Sequence, residues 1–77
     1  MFFINLLKLA LVKNNLKVER AIKNITQEEL AKKINITRQA VNAIELNKYV
    51  PSTILALKMS VYFGKTVNEI FSLEETD

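Results

Sequence analysis

The stretch Ile25–Tyr49, "ITQEELAKKINITRQAVNAIELNKY", decides the fold. Its apolar residues run at helical spacing through Leu30, Ala31 and Ile34, halt at Asn35, and resume through Val41 and Ile44. One long helix would not carry Asn-Ile-Thr at positions 35–37. The pattern predicts two short helices joined by a tight turn. Thr26, with Glu29 three residues later, has the form of a capping box opening the first, and Thr37 caps the second, which runs to about Leu46. Ala31 is small enough for the two helices to cross closely, Asn35 makes the turn, and Val41 with Ile44 anchor the second helix to a core. Arg38, Gln39, Asn42 and Ala43 are then left facing outward.

Working outward from this pair, the chain reads as five helices. The first covers about 14–23, with Leu16, Arg20 and Lys23 spaced around it. Pro51-Ser52 opens the fourth, whose Leu55, Leu57, Met59 and Phe63 predict a largely buried helix ending before Gly64. Thr66 and Glu69 repeat the capping box for a short fifth helix through Ile70 and Phe71. Asn24, Asn35 and Asn47 fall where the chain must leave a helix or reverse. Such positions ask for a positive φ, which Asn tolerates best after Gly. With a single Gly in the chain, three Asn at three helix ends are predicted to do that work.

Composition narrows the function. The 77 residues suffice for one small domain, and the near absence of Gly and Pro suits an all-helical one. With neither Cys nor His, disulfides and Cys- or His-ligated metals are excluded, and most nucleophilic catalysis loses its usual residues. No enzyme, no cofactor and no metal site is expected, and a reducing cytoplasm is the default setting. Residues 1–50 hold nine Lys and Arg against four Glu, whereas residues 51–77 hold two Lys against three Glu and one Asp. A basic front half and an acidic tail fit a nucleic-acid face opposite a solvated or self-associating end.

The first twelve residues, MFFINLLKLALV, are too short to span a bilayer and are interrupted by Asn5 and Lys8. They lack the basic n-region and cleavage site of a secretory signal. They read as an extra core or dimer-contact segment, strand or helix, with a short strand pairing of the chain ends as one form. Alternatively, residues 1–11 precede a natural start at Val12, a reading refuted by an intact mass that includes Met1 to Leu11. The layout expected is an apolar extension over 1–13, the domain over 14–73 and an acidic tail over 74–77.

A small residue in the first helix, a turn residue and an anchored second helix together make helix-turn-helix geometry, whose second helix enters the DNA major groove. "TQEELAKKINITRQAVNAIELNKYVPS" resembles the core motif of the phage repressor, Cro and Xre-type regulator family. The resemblance extends from "NNLKVERAIKN" to "VNEIFSLEE", most of the chain. It implies a five-helix domain that binds operator DNA, usually as a two-fold dimer. The departures are Asn24, Asn35 and Asn47, where the family commonly has Gly, and Leu46, where a polar residue is usual.

Roles follow by chemistry and by this resemblance. Arg38 and Gln39 stand where similar proteins read base edges, Arg suiting guanine O6 and N7 and Gln suiting adenine N6 and N7. Asn42 faces the same groove, and Ala40 and Ala43 suit thymine methyls. Gln27 resembles the family's phosphate-contacting Gln at a helix N-terminus. Thr37, Asn47 and Lys48 complete the expected phosphate set, and Tyr49 is either packing or contact. Lys32 and Lys33 read as solvated, balancing Glu28 and Glu29. Arg20 matches the family position that pairs with the acid at Glu45, so an Arg20–Glu45 ion pair is expected to brace the recognition helix.

The reading is a sequence-specific transcriptional regulator, a dimeric repressor inserting helix 37–46 into a palindromic operator. The alternative is an antitoxin-type interaction module whose DNA binding serves autoregulation. The partners expected are double-stranded DNA and a second copy, with no membrane and no small-molecule substrate. Val67, Ile70, Phe71 and Leu73, with residues 2–9, are the expected dimer contacts.

Overall fold

The computed structural model describes residues 12–73. The expectations for residues 1–11, and for the tail with Glu74, Glu75 and Asp77, lie outside the described residues. The elements in chain order are β1 (Val12–Asn14), α1 (Leu16–Lys23), α2 (Gln27–Ile34), α3 (Arg38–Glu45), α4 (Thr53–Phe63), α5 (Val67–Ile70) and β2 (Phe71–Leu73). Among the described residues the architecture is helical with one small sheet. Its two strands run antiparallel and pair the two ends of the described segment, Val12 opposite Leu73, Lys13 opposite Ser72 and Asn14 opposite Phe71. The pairing takes in Val12 and Lys13, just ahead of the first helix.

Local chemistry sets the helix boundaries. At α2, Thr26 Oγ1 accepts from the Glu29 N–H, and Glu29 returns the bond by accepting from the Thr26 N–H. Thr66 and Glu69 do the same for α5. Thr37 accepts from the Ala40 N–H and Ser52 from the Leu55 N–H, at the starts of α3 and α4. At the other ends the backbone turns left-handed at Asn24, Asn35 and Asn47, with φ of 56°, 61° and 61°, and at Gly64, with φ of 66°. Asn35 closes α2 with its N–H on the Ala31 carbonyl, which frees the chain to start α3 three residues later. Asn35→Ala is expected to cost about 1 kcal/mol in thermal unfolding because alanine is strained in this region, whereas Asn35→Gly stays near neutral. Equal losses from both would remove backbone conformation as the cause.

The core is built from Leu16, Leu30, Ile34, Val41, Ile44, Met59, Phe63 and Ile70, with Ala31 at the α2–α3 crossing. These two helices make the most extensive helix packing of the fold. An alanine of near-zero exposure at that crossing leaves no bulk to hold them apart. Two expectations need correction. Leu57 is 52% exposed rather than buried, because α4 is apolar on nearly every side and packs inward through Leu55, Ala56, Met59 and Phe63. Ile70 is buried at 1% exposure, so it belongs to the core and not to an apolar end awaiting a partner.

Boundaries shift slightly for physical reasons. α1 begins at Leu16, not near Asn14, because Asn14 Oδ1 accepts from the Leu16 N–H while Asn14 itself ends β1. α3 ends at Glu45, with Leu46 as its cap, and Phe71 leaves α5 in extended conformation to start β2.

Candidate nucleic-acid interface

The sequence of α3 places Val41 and Ile44 one turn apart, and burying both rotates the opposite face outward. On that face Arg38 and Gln39 are exposed at the first turn, and Asn42 is exposed one turn further. Ala40 and Ala43 are half-buried at its edges. The exposed face thus carries one cation, two amides and small apolar neighbours, the side-chain types that match base edges and thymine methyls.

Behind α3 lies its brace. Arg20 Nε donates to Glu45 Oε2 at 2.6 Å and Arg20 Nη2 to Glu45 Oε1 at 3.1 Å, a two-pronged pair. The remaining prong, Nη1, donates to the Ile25 carbonyl at 2.9 Å. The side chains are nearly enclosed, at 15% and 6% exposure. Burial pushes the Glu45 carboxyl up, but hydrogen bonds from Arg20 and Gln27, with the charges of Arg20 and Lys17, outweigh it and hold the group below its usual range. The same pair raises Arg20 further, so both groups stay ionised at neutral pH. An acid is thereby kept beside α3 without presenting an uncompensated negative charge.

Gln27 occupies the first position of α2, and its side chain is turned inward. Nε2 donates to Asn42 Oδ1 at 3.1 Å and to Glu45 Oε1 at 3.0 Å. Both amide protons are thus engaged within the protein, and the backbone N–H groups at the start of α2 are left without partners inside the helix. Asn42 is drawn into the same network, which fixes its amide with the Nδ2 donor directed away from Gln27. A polar cleft bordered by Arg20, Thr26, Gln27 and Arg38 opens beside this helix start. Thr37 uses its hydroxyl oxygen as a cap and retains its proton for donation.

At the far end of α3 the structure adds a residue that sequence reasoning missed. Asn14 Nδ2 donates to the Ile44 carbonyl at 2.7 Å and to Asn47 Oδ1 at 2.9 Å. The end of α3 is therefore pinned to the two-stranded sheet. Asn47 keeps its Nδ2 donor, and Lys48, held by its N–H on the Ala43 carbonyl, is exposed beside it. The paired Asn14-Asn15 at the mouth of α1 was the only signal in the sequence, and pairing across 33 positions is not readable from it. Tyr49 is 48% exposed and Leu46 54%, so both border this end without joining the core. Lys32 approaches Glu28 at 3.9 Å with both side chains well solvated, while Glu29 serves the capping box instead of balancing Lys33. Among the described residues, no helix is long and apolar enough to cross a membrane, and no group of acids could hold a metal ion.

Comparison with known proteins agrees with this geometry. A family model described as Helix-turn-helix matches residues 16–70. The chain is 47% identical over 66 residues to an uncharacterized HTH-type transcriptional regulator of Methanocaldococcus jannaschii, covering 86% of this chain and all of that protein. It is 44% identical over 64 residues to the uncharacterized HTH-type transcriptional regulator YgzD of Bacillus subtilis, covering 83% and 97% of the two chains. A similar regulator of Archaeoglobus fulgidus is 36% identical over 66 residues, 86% of this chain and 93% of its own. With a helix-turn-helix model spanning most of the domain and three relatives matched nearly end to end, the chain belongs to the Xre/Cro-type helix-turn-helix family of DNA-binding transcriptional regulators, which are not enzymes.

Proposed function

We propose that the protein is a cytoplasmic, dimeric repressor that inserts α3 into the major groove of a palindromic operator. The observation that carries this reading is the division of α3: Val41 and Ile44 fully buried, Arg38 and Gln39 exposed on the opposite side, and the helix braced by Arg20 and Glu45. Arg38 and Gln39 read base edges, Asn42 and Ala43 supply the flanking contacts, and Thr37, Asn47, Lys48 and the Gln27 N–H position the phosphates. A bound operator blocks the polymerase that would use the same DNA.

The dimer reading is supported by the apolar end of the molecule. Val67 and Phe71, half-buried, and Val50, exposed, line a cavity together with Val12 and Ala56, and Leu73 is exposed on the neighbouring strand. Covering that end with a second copy removes it from water and, by two-fold symmetry, places two α3 helices side by side. Selection of bound sequences from a random duplex pool should return inverted repeats with half-sites about 34 Å, or one helical turn, apart. Sedimentation at micromolar concentration should give twice the chain mass. Single unpaired half-sites together with a monomeric mass would overturn both the dimer and the palindrome.

A further inference from the structure

A helix that is apolar on every side normally lies inside a core. α4 does not: Ile54, Leu57 and Val61 are 68%, 52% and 83% exposed. Their spacing of three and four residues places them in one stripe about two turns long. The stripe lines a groove of about 580 Å³ together with the C-terminal end of α2 and with Lys58 and Tyr62 of α4 itself. The two charged residues on its rim, Lys33 and Lys58, are both cations, and no acid lines it. Among the described residues, neither lysine has a carboxylate within ion-pair distance.

We propose that this groove between α2 and α4 docks an amphipathic helix of a partner protein, apolar on the inserted face and acidic on its flanks. Apolar residues at every third or fourth position would lie along Ile54, Leu57 and Val61, and flanking carboxylates would meet Lys33 and Lys58. Charge decides the occupant. A second copy bound by two-fold symmetry would bring the same lysines towards one another, which opposes self-association through this face. A bilayer surface is flat and demands many cations, whereas this site is concave and carries two.

The site leaves DNA binding free. None of Arg38, Gln39, Asn42 or Gln27 lines it, and it lies at the opposite end of α2 from Gln27, about 10 Å along an eight-residue helix. A partner held there would ride on the regulator while α3 is engaged. The inference does not depend on the repressor reading, because docking is measurable without DNA.

The test uses the full chain and a synthetic helical peptide of about 18 residues, with Leu at three- and four-residue spacing and Glu on both flanks. A second peptide carries Lys in place of Glu, and vesicles of anionic phospholipid form a third arm. The Glu peptide should bind with an affinity that weakens with salt, shifting the amide resonances of Leu57, Lys58 and Val61. Val61→Glu, at a position too exposed to affect folding, should weaken it about tenfold or more. Lys33→Glu with Lys58→Glu should invert the preference towards the Lys peptide. Equal binding of the two peptides, no binding of either, or preference for the vesicles would overturn the proposal. So would a fall in sedimentation mass on Val61→Glu, which would assign the face to a second copy.

Discussion

Arg20→Ala should destabilise the protein by about 3 kcal/mol, and Glu45→Ala by a similar amount, while the double variant should lose less than either. The asymmetry arises because each single change strands an enclosed charge. Without Arg20, Glu45 keeps only the Gln27 amide against its burial; without Glu45, Arg20 keeps only the Ile25 carbonyl. Denaturant unfolding of the two single variants and the double variant measures the coupling. Simple additivity would show that the pair does not act as a unit.

The same pair fixes a direction of pH dependence. The Glu45 carboxyl sits below its usual value near 4.5, so the unfolded chain binds its proton more readily than the folded one. Its contribution is present above that value and is lost as pH falls through the lower folded-state value. Glu69, held low by its hydrogen bonds with Thr66, titrates in the same sense. The midpoint of thermal unfolding should therefore drop on acidification below about pH 4.5, and Glu45→Gln should flatten that dependence. Arg20, raised above an already high value, adds nothing across this range.

The second large effect separates residues that read bases from those that position the backbone. Gln39→Ala should cost about 1–3 kcal/mol in each half-site, where a bidentate hydrogen-bonded pair with a base is removed, and relax preference at one base pair. A neutral side chain releases no counterion, so the slope of log K against log salt should remain unchanged. Lys48→Ala should instead weaken all sequences alike and flatten that slope by about 2 in a dimer, at roughly 0.9 per phosphate. If Gln39→Ala weakens operator and random DNA equally, the reading face assigned to α3 is wrong.

What the sequence revealed divides along a physical line. Thr26, Thr37, Ser52 and Thr66 cap within three residues, and Asn24, Asn35 and Asn47 act on their own backbone, so their work is written locally and could be read. The α2–α3 pair was legible for the same reason, since its apolar spacing breaks at Asn35. The facing of α4 was not. A helix apolar all round gives no phase, and only packing against the rest of the fold turns Leu57 out and leaves Met59 in. The burial of Ile70 escapes a sequence reading because it depends on how the short α5 packs against α4 and the core. Gln27 stands at the expected helix end, but the inward turn of its amide depends on Asn42 and Glu45, fifteen and eighteen positions away.

The Asn14 amide carries a practical warning for anyone shortening the chain. Among the described residues, a deletion starting the protein at Asn15 would remove no helix and no core residue. It would nevertheless take away the bonds to Ile44 and Asn47, along with the strand opposite Phe71. The end of α3 would then be free to fray by a turn, and operator affinity is expected to fall. Loss of function in a fragment that is still folded is the signature expected of a part that sets alignment rather than stability.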